Sequence, residues 1–123
     1  MLLKDFYSIE KLDKKDDGKY VASIFLNSSH AIFKGHFPGN PVTPGVCMMQ
    51  IIKELSQEIL KSSLIMTSSS NVKFMALINP EINPSLQLEL EMSGDLETEI
   101  KVKATTIFDT TVALKLTNVY KKA

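Results

Sequence analysis

An α+β fold is predicted, with a curved antiparallel sheet of five or six strands wrapped around one long helix. Three observations predict it. Leu86, Leu88, Leu90 and Met92 alternate with Gln87, Glu89 and Glu91, and the same two-residue period recurs over 100–106 and 112–119, the pattern of strands with one dry and one wet face. Met48, Ile51, Ile52, Leu55 and Ile59 recur at helical spacing, and no other segment of the chain does this strongly. Gly94-Asp95 and Phe108-Asp109-Thr110 supply turns between the last three strands, so these form a meander whose dry face needs the helix to cover it.

The elements follow in chain order. Residues 5–12 give a weak first strand, and 13–18 a charged turn. Residues 19–27, rich in Val, Ile, Phe and Tyr, read as a strand. Residues 28–44 read as a loop. Its second half holds Pro38, Pro41 and Pro44 with Gly39, a backbone unsuited to helix or central strand. The helix is expected over 46–60, with Pro44 just outside its start. Its first turn, Val46-Cys-Met-Met49, is apolar all round, which calls for burial on every side. Residues 62–70 read as a mixed connection, partly strand, 72–78 as a strand and 79–84 as a turn.

Composition narrows the function. The 123 residues suit one domain over 1–123 with a real core. The 14 basic residues are all lysine and balance 14 acidic ones. That argues against nucleic acid, where bidentate guanidinium contacts are preferred. Cys47 is the sole cysteine, which excludes an internal disulfide and a cysteine-rich metal site. No apolar run approaches a membrane span of about 20 residues, and the N-terminus is charged too early for a signal peptide. The expectation is a cytoplasmic protein with no membrane partner, no metal and no cofactor.

Chemistry concentrates at His36-Phe-Pro-Gly-Asn-Pro-Val-Thr-Pro44-Gly45-Val46, running straight into the helix. A stiff loop can hold an imidazole beside a helix N-terminus, whose unpaired N–H groups polarise a carbonyl. This string and the layout around it resemble the 3-hydroxyacyl-[acyl carrier protein] dehydratases, whose fold is the hotdog. The resemblance implies an active site at a dimer interface, with a histidine of one subunit facing a carboxylate on the partner's helix. Carried over by motif position, the histidine is His36, and the N–H of Gly45 polarises the thioester carbonyl. The carboxylate position, fourteen residues after the histidine, holds Gln50. An amide cannot donate a proton as an acid does. Glu54, one turn on, is the alternative acid. The family often carries Glu then Gln at this spacing, and here the two types are exchanged. Phe37, Pro44, Val46 and Met49 are the expected substrate contacts.

The expected substrate is an acyl carrier protein or coenzyme A thioester. The expected assembly is a homodimer or dimer-based oligomer, with a heterodimer with a paralogue as the variant Gln50 suggests. Lys34, Lys53 and Lys73 are candidate contacts for an acidic carrier protein. Two other functions fit the same pattern. One is an acyl thioesterase; the other is a non-catalytic subunit that binds a carrier protein within a heteromeric dehydratase. His30 reads as a loop residue bonded to backbone, and Cys47 as a small core residue.

Overall fold

A computed structural model describes residues 5–35, 39 and 41–123. Six strands form one antiparallel sheet: β1 (Tyr7–Asp16), β2 (Lys19–Leu26), β3 (Leu64–Phe74), β4 (Ser85–Gly94), β5 (Ile100–Phe108) and β6 (Thr111–Lys122). Their order across the sheet is β1-β2-β4-β5-β6-β3. Helix α1 (Ala31–Lys34) and helix α2 (Gly45–Leu60) lie between β2 and β3 in the chain.

The alternation in the sequence becomes the dry face. Leu88 faces Ala22 on one side and Thr106 on the other, and Leu90 faces Tyr20 and Ala104. These rows bury Leu86, Leu88, Leu90, Val102, Leu114 and Leu116 against Met48, Ile51, Ile52 and Leu55 of α2 in one core. Asn118 is polar yet fully buried on this face, and its Nδ2 donates to Tyr120 Oη at 2.9 Å.

Four boundaries differ from the sequence reading, each for a local reason. β1 continues to Asp16, so the charged segment is mostly strand and the turn shrinks to Asp17-Gly18. Gly18 has φ +70°, and a Cβ there would stand 2.4 Å from the Met92 carbonyl oxygen, so only glycine makes this turn. The loop after β2 contains α1, capped by His30, whose Nδ1 accepts from Ile32 N–H at 3.1 Å. α2 starts one residue early, at Gly45. The two segments expected over 62–70 and 72–78 are one strand, β3, ending at Phe74. Two register shifts against β6 let its polar middle pair, and Asn71, at φ 53°, sits at the second.

Candidate active site

The site is built where the loop meets α2. Pro44 is the N-cap, in extended conformation, and makes no side-chain capping bond; no acidic residue lies in the first turn. Its carbonyl accepts from Cys47 and Met48 N–H at 3.0 and 3.2 Å. The helix therefore starts with N–H groups and a partial positive charge that no side chain of its own neutralises.

This start opens onto a largely apolar cleft of about 750 Å³, with Thr43, Pro44, Gly45, Val46 and Met49 on one side and residues 74–78 on the other. Phe74 packs directly on Gly45: a Cβ at Gly45 would lie 2.6 Å from Phe74 Cζ. A side chain here would have to displace the ring of Phe74, which is itself 60% exposed. Pro44, Gly45, Val46 and Met49, expected as site residues, line this one cleft together. His36 and Phe37, the expected base and a substrate contact, lie outside the described residues.

The first turn of α2 is split. Cys47 and Met48 are buried, Met49 is half-buried and Val46 is 66% exposed. Burial on every side is therefore not met within one chain. Burial also pushes the Cys47 thiol up, so it stays protonated and fills core space.

Gln50 lines a smaller depression of about 300 Å³, which shares Val46 and Met49 with the cleft and adds Lys53, Met66 and Tyr120. Gln50 Nε2 donates to Glu54 Oε2 at 3.0 Å. Tyr7 Oη donates to Glu54 Oε1 at 2.8 Å. The i,i+4 spacing of Gln50 and Glu54 was visible in the sequence. The arrival of Tyr7, 47 residues away, was not. Burial first, then the bond to Glu54 and the charges of Glu54 and Glu58, push the Tyr7 hydroxyl far above the ordinary tyrosine range. Tyr120 is also pushed up by burial, opposed by its bond from Asn118.

A separate concavity of about 560 Å³ lies on the wet face of the sheet, where Lys15, Lys19, Lys73, Lys103 and Lys115 surround Glu89 and Glu91. Among the described residues no cluster of His, Cys, Asp and Glu could hold a metal ion. Among them, too, no helix is long and apolar enough to cross a membrane.

Known proteins share this architecture. The dehydratase heterocomplex ApeI:P from Xenorhabdus doucetiae superimposes with a TM-score of 0.70 at 19% identity, over 94% of this chain and 97% of that one. A hypothetical thioesterase with coenzyme A from Streptococcus pneumoniae TIGR4 gives 0.67 at 16% identity, over 99% and 91%. At these identities the likeness concerns the fold, which is the hotdog.

Sequence relatives are more specific. The 3-hydroxyacyl-[acyl-carrier-protein] dehydratase FabZ of Rickettsia bellii is 30% identical over 83 residues, 67% of this chain. The match spans 57% of that relative's length. The FabZ of Hydrogenobaculum sp. is 28% identical over 107 residues, 79% of this chain and 71% of the relative. The ApeI-like family, described as ApeI dehydratase, matches residues 12–112. With that match covering most of its length, the chain belongs to the ApeI-like dehydratase family.

Proposed function

We propose that this protein removes water from 3-hydroxyacyl thioesters, on an acyl carrier protein or on coenzyme A, as a dimer. The observation that carries the reading is the uncapped start of α2 at Gly45, opening onto an apolar cleft in a chain of a dehydratase family. The reaction needs three things. A base takes the C2 proton, a donor holds the charge that gathers on the thioester oxygen, and the C3–O bond breaks as C2=C3 forms. The hydroxyl leaves as water once it receives a proton, which the base returns after taking it from C2 or which a carboxylic acid gives, Glu54 or one on a partner subunit. His36 is the proposed base, because imidazole titrates near neutral pH. Gly45 N–H is the proposed donor to the thioester oxygen. Val46, Met49 and Phe74 give the acyl chain an apolar wall. Gln50 is proposed to meet the 3-hydroxyl group. Phe37 and Pro44 complete the proposed substrate contacts.

Glu54 is the proposed alternative acid. Both of its oxygens accept hydrogen bonds, from Tyr7 and Gln50, so to act it would have to exchange one of these partners for the substrate.

The dimer reading rests on the β3 edge. Among the described residues β3 is the last strand of the sheet and pairs with β6 alone. Ile65, Met66, Phe74 and Met75 are 45–60% exposed there, and Val46 of α2 is exposed beside them. A second copy pairing along β3 would cover this surface and satisfy the open backbone groups. The proposed site then forms between the two copies. A paralogue with a carboxylate at the Gln50 position is the proposed partner of a heterodimer, a reading favoured by Gln50 itself. The structural neighbour ApeI:P is a heterocomplex.

The test is incubation with a 3-hydroxyacyl carrier protein followed by mass measurement. Loss of water supports the dehydratase, and loss of the acyl group the thioesterase. No change alone, but loss of water after adding a paralogue, supports the heteromeric subunit. No change in either arm sinks the enzymatic reading.

A further inference from the structure

We propose that Tyr7 and Glu54 fix the polarity of the Gln50 amide, so that Gln50 selects thioesters with a hydroxyl at C3 over those with a carbonyl there. The inference rests on the dehydratase reading, in which Gln50 meets the C3 substituent. Gln50 is then the residue that touches substrate, and Tyr7 and Glu54 are positioning residues.

A glutamine amide can face a ligand with either end, its carbonyl accepting or its NH2 donating. Here one end is committed. An ionised carboxylate only accepts, so Glu54 Oε2, 3.0 Å from Gln50 Nε2, holds the nitrogen end. Reversing the amide would set its carbonyl oxygen against a carboxylate oxygen, two acceptors in contact. The carboxylate cannot turn aside to relieve this, because its other oxygen takes the Tyr7 hydroxyl at 2.8 Å. That hydroxyl keeps its proton across the ordinary pH range, so it remains a donor. Gln50 Oε1 has no hydrogen-bond partner among the described residues, and Gln50 lines a depression that shares the walls Val46 and Met49 with the cleft. The Gln50 amide therefore presents its acceptor and withholds its donor at this point, with the Lys53 side chain on the wall of the same depression. A 3-hydroxyl has a proton to give it. A 3-oxo group has only lone pairs and meets an acceptor head-on, and a saturated chain is indifferent.

The test measures binding of three pantetheine thioesters of equal chain length, 3-hydroxyacyl, 3-oxoacyl and saturated, alongside turnover of the first. The wild type is expected to prefer the hydroxy over the oxo compound by about tenfold or more, as a site built for one hydrogen-bond polarity does. In Glu54→Gln the Gln50 amide is free to reverse. The preference should fall to about threefold or less, mainly through tighter oxo binding, with the saturated compound unchanged. Tyr7→Phe keeps the ring and should move the preference the same way by a smaller factor, which decides the matter if Glu54→Gln does not fold. Equal weakening of all three compounds would mean a merely structural role and overturn the inference. So would full preference retained in folded variants. A wild type that shows the preference but does not dehydrate removes the dehydratase reading and leaves the polarity inference standing. A wild type that dehydrates without the preference does the reverse.

Discussion

The two edges of the sheet solve the same problem in opposite ways. At one edge, β1 carries Glu10, Lys11, Asp13, Lys14, Lys15 and Asp16 among ten residues. Asp13 holds Lys11 and Lys15 at 3.3 and 3.7 Å, and two register shifts bend the strand. Such an edge is closed to further strands, since a neighbour would have to bury or displace those charges. At the other edge, β3 carries Lys73 as its single charged residue, with Ile65, Met66, Val72 and Phe74 exposed along it. An edge left so open in a folded chain is costly in water and useful to a partner. The contrast teaches where assembly is permitted. The permitted edge also lies beside Val46 and Gly45, where the proposed chemistry is.

Four expected outcomes break or sharpen this contrast. The largest effect comes from the core that both edges share. Ile52→Ala should cost about 2–5 kcal/mol of stability, because Ile52 is fully buried between α2 and the sheet. Chemical denaturation followed by circular dichroism checks it, and a shift of the midpoint too small for that range would mean that the core is looser than described.

Next is the open edge. Making β3 resemble β1 by Met66→Lys with Phe74→Lys should raise the dimer dissociation constant at least about a hundredfold, near 3 kcal/mol. Sedimentation at micromolar concentration reads this directly. A wild type that is already monomeric without a partner removes the dimer, and with it the meaning of the contrast.

A smaller effect belongs to the base of β1, where Tyr7 reaches α2. Tyr7→Phe should lose about 1 kcal/mol at neutral pH through the missing bond to Glu54. The wild type should also weaken in alkali where the variant does not. Tyr7's hydroxyl is pushed above its unfolded value of about 10, so the folded chain keeps a proton that the unfolded chain releases. That contribution is whole below about pH 10 and falls above it. Parallel stability curves of the two proteins from pH 8 to about 11 would contradict the assignment.

The smallest change should follow Asp13→Asn on the defended edge. Its ion pairs are partly or largely exposed, and such pairs contribute less than about 0.5–1 kcal/mol. Thermal melts should be nearly unchanged. Light scattering on prolonged storage should rise if charge, rather than stability, is what guards β1.

Much of the candidate site's local geometry was legible because its signals are local. Pro44 and Gly45 announce a helix start through proline's fixed φ and the loss of its N–H, and α2 begins there. Gln50 and Glu54 share a helix face by spacing alone, and they are bonded. Two residues escaped notice because nothing near them in sequence marks them. Tyr7 sits in a weak first strand among charges, and Phe74 ends a strand that reads as two pieces. Each matters through a contact made across the fold, with Glu54 and with Gly45.

Alternation over 86–92, 100–106 and 112–119 determined the meander and its dry face, because a strand's two-residue period admits no other way to bury those leucines. Helical spacing over 46–60 determined what covers that face. The sequence alone did not place β3. Its centre, Thr67-Ser-Ser-Ser-Asn71, has too few apolar residues to specify a register. Only pairing with β6, through two shifts and a left-handed Asn71, decides it. Nor did the sequence show that β1 and β3 would be the two edges, one charged and one open. Strand order is a long-range choice, made when the two helices and six strands of the described residues close a single core. No short-range pattern carries that information.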